Sequence, residues 1–122
     1  MTKKNVFITT AIDYTNDVIH IGQAYEKILA DCVARYYRFK LGDTGNGEKV
    51  YFLTGTDEYG QKAEKAARDL KITPQELVKK ISDSDQKQQD SLNISYDRFI
   101  RTTDFDHAKV VEEIWKRVRH KI

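Results

Sequence analysis

The chain has 122 residues, 39% hydrophobic and 33% charged, which is one globular domain's worth of sequence. Lys and Arg total 21 against 19 Asp and Glu, and a formal charge of +2 singles out no polyanionic partner, DNA included. The single cysteine excludes an internal disulfide and fits a reducing, cytoplasmic setting, and no apolar run approaches the roughly 20 residues of a membrane span.

In chain order, Val6-Phe7-Ile8 opens a strand over Val6–Thr10, because a short apolar run with a β-branched ending suits a sheet covered on both faces. A loop, Ala11–Ile19, leads into a helix over about Ile21–Lys40. Ala24, Ile28, Cys32, Tyr36 and Phe39 recur along it as its expected buried stripe. Gly42, Gly45 and Gly47 punctuate a turn before a second buried strand, Val50–Leu53. Strand, helix and strand in succession make a crossover unit, whose strands run parallel. Thr54–Gly60 reads as a polar loop, followed by a short helix, Gln61–Leu70, with Ala63, Ala66, Ala67 and Leu70 on its apolar side.

Thr73-Pro74-Gln75-Glu76 combines a cap, a proline at the first helical position and a glutamate three residues after the cap. The helix it opens runs to about Asp90 and buries Leu77 and Ile81, with Asp83, Asp85 and Asp90 on a solvated face. Arg98–Arg101 is a third strand. Asp104 or Asp106 caps a last helix, where Ala108, Val111, Ile114, Trp115, Val118 and Ile122 fall at helical spacing and read as core. This order specifies an α/β fold, a parallel sheet flanked by helices, with its ligand at the carboxyl ends of the strands. The loops at Ala11–Gln23 and Thr54–Gly60 both lie there.

His20-Ile21-Gly22-Gln23 occupies a helix start, where unpaired backbone N–H groups and the positive end of the macrodipole favour an anion. Phosphate is the expected ligand. Gly22 either admits something close to the backbone or packs the helix onto the sheet. Asp57, at a strand's carboxyl end, is suited to hold an ammonium group and equally to cap the Gln61 helix. Gly42–Glu48 superficially resembles a phosphate loop, but Glu48 stands where lysine is required. Cys32, His107 and His120 lack metal-ligand spacing, and the basic residues Lys116, Arg117, Arg119 and Lys121 suit a helix end.

The run Ala11-Ile12-Asp13-Tyr14-Thr15-Asn16-Asp17-Val18-Ile19-His20-Ile21-Gly22-Gln23 resembles the signature of class I aminoacyl-tRNA synthetases, and more narrowly the methionyl type. The resemblance continues through Phe52–Lys62, Ile72-Thr73-Pro74, Asn93–Asp97 and Arg101–Asp104, nearly the whole chain. It implies that residues 1–122 are the amino-terminal half of a Rossmann-type catalytic domain, incomplete and inactive alone. In the longer protein that domain converts methionine and ATP, taken with Mg2+, to methionyl-adenylate and passes the methionyl group to tRNA(Met). By position, Ile12 and Tyr14 would line the methionine pocket and Asp57 would hold the α-amino group. His20, Gly22 and Gln23 would bind ATP, with His20 and Gln23 catalytic. Zinc is implied only for a downstream inserted domain. Asp13 stands where the family's usual run has proline, Gln23 where it has a second histidine, and Tyr59 where it has histidine. A truncated homologue serving as a non-catalytic binding module is the competing reading.

Overall fold

Strand β3 (Val50–Asp57) is the axis of the computed structural model, which describes residues 5–15, 17–43 and 49–121. Three shorter strands run parallel to it. On one side β1 (Val6–Thr9) pairs Val6 with Val50 through Thr9 with Leu53, and β2 (Asp13–Tyr14) continues the same edge, pairing with Thr56 and Asp57. On the other side β4 (Arg98–Arg101) pairs with Leu53–Thr56. Four helices complete the chain: α1 (Ile21–Leu41), α2 (Gln61–Leu70), α3 (Pro74–Ser91) and α4 (Phe105–Val118).

A central strand is covered on both faces and hydrogen-bonded on both edges, which explains the burial of β3. Val50, Phe52, Thr54 and Thr56 alternate along one face and are fully buried. Phe52 packs with Ala34 of α1 and Ile94, and Ile8, Ala30 and Tyr96 close the cluster. Burying one such ring contributes roughly 1.5–3 kcal/mol. The strand runs four residues past the expected Val50–Leu53. Thr54 and Thr56 are β-branched, and their hydroxyls meet Thr10 and Ser82, each at 2.8 Å, so polar residues continue the strand without an unmet hydrogen bond. Part of the expected Thr54–Gly60 loop is therefore sheet. The two-residue β2 was not expected either. It follows from a one-residue bulge: Thr9 to Asp13 takes four steps where Leu53 to Thr56 takes three.

The helices lie at the expected places. Gly42, left-handed at φ 60°, ends α1 by donating to the carbonyls of Arg38 and Phe39. Gly45 and Gly47 lie outside the described residues. Asp97 ties helix to sheet: its carboxylate accepts from the Phe52 N–H at 2.6 Å and from Arg38 at 2.8 Å. Among the described residues no helix is long and apolar enough to cross a membrane.

Two expected cores are not cores. Ile28, Cys32, Tyr36 and Phe39 of α1 face outward, and the buried face is instead Lys27, Asp31 and Ala34, with Ala24 and Arg38 partly covered. Periodicity failed there because the covered side chains are charged and individually paired. On α4, where Ile122 is outside the described residues, no residue is buried and Trp115 is 58% exposed. Leu70 of α2 is likewise exposed.

Candidate functional site

At its carboxyl end β3 delivers Asp57 to a cleft of about 370 Å³, lined also by Tyr14, Thr15 and the Tyr59–Ala63 turn into α2. Tyr14 is there because β2 places it directly beside Asp57 in the parallel register. Tyr14 is 64% exposed and available to a ligand. The Asp57 carboxylate accepts from the Tyr59 N–H at 3.2 Å and from the Thr102 hydroxyl at 3.4 Å. It makes no side-chain cap hydrogen bond to α2, whose start has none. Two weak neutral donors leave a carboxylate with lone pairs free for a cation. Behind it Glu58 is buried and held by Arg101 at 2.6 Å, with Thr103 also donating to it, so the end of β3 is anchored to the end of β4.

The second half of the site is the start of α1. His20 is the N-cap, and its Nδ1 accepts from the backbone N–H groups of Gly22 (3.1 Å) and Gln23 (3.4 Å). In return Gln23 Oε1 accepts from the His20 N–H at 2.9 Å, closing a reciprocal capping box. A Cβ at Gly22 would stand 3.0 Å from His20 Cε1. Gly22 is exposed, so what it admits is the imidazole of His20 itself, and packing against the sheet is excluded.

Gln23 Nε2 then donates to Asp13 Oδ1 at 2.8 Å. Asp13 is buried on β2, and its other oxygen meets the Lys27 ammonium at 3.0 Å. Lys27 is fully buried and also donates to the Ala11 carbonyl at 2.7 Å. A buried charge is tolerable only when paired and hydrogen-bonded, and this one is both. The residues that depart from the family's usual run at 13 and 23 thus touch each other. Sequence reasoning missed Lys27. The available signal was its place four residues after Gln23, on the same face of α1.

Asp85 of α3 is a second unexpected buried charge. Burial pushes its carboxyl up to about 6, against a hydrogen bond from Gln89 that pulls it down; Asp13 adds repulsion and Lys27 attraction. The solvated face expected for α3 is corrected at this position: only one oxygen of Asp85 has a partner, Gln89 Nε2 at 3.1 Å. Asp31 goes the other way. Burial alone would raise it, but hydrogen bonds from Ser95 and Arg35 outweigh that and hold its carboxyl below the usual range.

Of the expected site residues, Tyr14 and Asp57 share a cleft, and His20, Gly22 and Gln23 form a separate exposed helix start. The two groups are joined through β2, where Asp13 touches Gln23 and Tyr14 neighbours Asp57. Ile12 is 38% exposed and is not among the residues lining the cleft.

The family model described as "tRNA synthetases class I (M)" matches residues 6–122. Methionine–tRNA ligase of Mycobacterium tuberculosis is 45% identical over 115 residues, 94% of this chain and 21% of the relative. That of Deinococcus radiodurans is 49% identical over 116 residues, 94% of this chain and 16% of the relative. The chain therefore spans about a fifth of the length of the curated relatives it matches. A crystal structure of Mycobacterium tuberculosis methionyl-tRNA synthetase bound by methionyl-adenylate superposes with a TM-score of 0.88 at 44% identity, covering 96% of this chain and 22% of that one. An Agrobacterium radiobacter LeuRS in a ternary complex with tRNA and LeuAMS, at 21% identity and TM-score 0.78, shares the fold.

Proposed function

The chain belongs to the class I tRNA synthetases of the methionine type, and from that footing we propose that it supplies the amino-terminal half of a methionine-activating catalytic domain. The observation that carries this reading is the two-residue strand β2. It sets Tyr14 beside Asp57 and, one residue earlier, ties Asp13 to the His20–Gln23 helix start. One short element thus serves both halves of the site.

Methionine would enter with its ammonium group on Asp57 and its thioether against the exposed Tyr14 ring. ATP, as its Mg2+ complex, would bring its phosphates to the start of α1. Adenylation is an in-line displacement: the methionine carboxylate attacks the α-phosphorus and pyrophosphate leaves. The nucleophile is already ionised, so no general base is required, and the protein's work is positioning and charge stabilisation. The outward N–H of His20 would donate to a phosphoryl oxygen, a role worth about 3 kcal/mol by comparison with oxyanion-hole donors. The Gln23 amide is largely occupied, with Oε1 on His20 and Nε2 on Asp13. It therefore supports the ring in this reading, with at most its second N–H for the ligand. Transfer to tRNA(Met) belongs to the full-length protein.

Methionine-dependent exchange of pyrophosphate into ATP, measured on this chain within a full-length synthetase, tests the proposal. Exchange that requires methionine and tolerates no other amino acid supports it. A full-length protein that binds neither methionine nor ATP would overturn it.

A further inference from the structure

Resting on the reading of His20 as the ATP-facing donor, we infer that Gln23, Asp13 and Lys27 form a positioning clip that sets which nitrogen of the His20 ring carries the proton. A histidine at an exposed helix start ordinarily has two neutral tautomers, a cation and free ring rotation. Here Nδ1 faces two backbone N–H groups, at 3.1 and 3.4 Å. A backbone N–H can only donate, so Nδ1 is the acceptor and the neutral ring carries its hydrogen on Nε2. That N–H is the donor left over for a phosphoryl oxygen.

The cap holds because Gln23 cannot turn over. Its Oε1 accepts from the His20 N–H and its Nε2 donates to Asp13 Oδ1. A flipped amide would set donor against donor at one end and oxygen against carboxylate at the other. Asp13 cannot drift either, since it is 6% exposed and its second oxygen lies 3.0 Å from Lys27, which is 0% exposed. Lys27 is fixed in turn by the Ala11 carbonyl, and Glu26, 3.9 Å from it, accepts from the Ala11 N–H. The line of contacts thus begins at a buried ion pair and ends at a solvent-facing ring. The side chains that replace the family's usual proline and second histidine are its two middle members. They are positioning residues.

The test is nitrogen-15 NMR of the imidazole in the full-length protein that carries this chain, with ATP titrated into the same sample. The expected wild-type ring is the Nε2–H tautomer. Gln23→Glu keeps an acceptor for the His20 N–H but sets a second carboxylate against Asp13. The ring should then become a tautomer mixture, and ATP affinity should fall about tenfold, the scale of one hydrogen bond to a charged group. Combining it with Asp13→Asn restores a donor–acceptor pair of reversed sense and should return both the tautomer and most of the affinity. A single variant whose ring matches wild type overturns the inference. So does a double variant that stays as far from wild type as the single, whether or not its amide spectrum is that of a folded chain. A wild-type ring in the expected tautomer that ignores ATP would instead remove the nucleotide reading and leave the clip standing.

Discussion

Two helices in this molecule begin with the same device and spend it differently. At α3, Thr73 Oγ1 accepts from the Glu76 N–H at 3.2 Å and Glu76 Oε2 accepts from the Thr73 N–H at 2.8 Å. At α1, His20 and Gln23 make the same reciprocal pair. The threonine hydroxyl, having accepted, donates its one hydrogen to Glu76 Oε2 at 2.8 Å, and the box closes on itself. An imidazole that has accepted at Nδ1 still has Nε2, and a glutamine that has accepted at Oε1 still has two N–H groups. A cap of larger side chains therefore stabilises a helix and keeps donors in reserve. The α1 box is tied through Gln23 to Asp13 of β2, beside the end of β3.

Breaking the α1 box should have the largest functional effect. His20→Ala in the full-length protein is expected to lower methionine-dependent pyrophosphate exchange by about a hundred- to a thousandfold, the cost of one preorganised transition-state donor. The Michaelis constant for methionine should stay nearly constant, since His20 does not line the Tyr14–Asp57 cleft. Equal losses in both would mean that the ring holds methionine rather than the nucleotide.

Asp57 sharpens the comparison from the other side of β2. Asp57→Asn keeps an acceptor for Tyr59 and Thr102 but removes the charge. The expected loss of methionine affinity is roughly ten- to a hundredfold, the range for a hydrogen bond to a charged group. Calorimetric titration checks it, and ATP affinity measured alongside should be unchanged.

Below α1 and α3 lie the buried charges on which the two helices differ, Lys27 with its partner Asp13 and Asp85 with half of its oxygens unmet. Because the folded Asp85 titrates near 6 and an unfolded aspartate near 3.8, the folded chain holds a proton between those values that the unfolded chain releases. The contribution of Asp85 is therefore fully present below about pH 4 and declines as pH rises through 6. Asp85→Asn removes the desolvated charge and should stabilise the chain by about 1 kcal/mol at pH 8, discounted for partial screening, and by nothing at pH 4. Thermal melts at both values decide it. Equal changes at the two would assign the effect to packing.

The same buried charges explain what was legible in the sequence. The Thr73–Glu76 signal located the start of α3 to the residue because capping chemistry is local. Parallel pairing followed from the alternation of elements, and Asp57 followed from its place at a strand end. The covered face of α1 was illegible because Lys27, Asp31 and Arg38 find their partners on Asp13, Ser95 and Asp97, up to 64 positions away. Hydrophobic periodicity cannot register a core face made of paired charges. Val111, Ile114 and Trp115 mislead in the opposite sense: an apolar stripe predicts burial, yet none of the described residues covers it.

The smallest effect tests whether a cap by itself confers function. Thr73→Ala removes the hydroxyl that accepts from Glu76 N–H and donates to its carboxylate, but leaves the Thr73 N–H bond to Glu76 in place. Loss of a threonine cap should lower stability by about 1 kcal/mol. Hydrogen bonds from the Thr73 backbone and hydroxyl hold the Glu76 carboxyl below its ordinary value, so this interaction is present above that value and lost as pH falls through the folded one. The variant should accordingly lose part of the acid sensitivity of α3 along with the stability. Exchange activity in the full-length protein should be untouched, because neither Thr73 nor Glu76 lines the Tyr14–Asp57 cleft or contacts the His20–Gln23 box. A fall in exchange comparable to that of His20→Ala would show that the α1 box matters only as a helix stabiliser, and the distinction between the two starts would collapse.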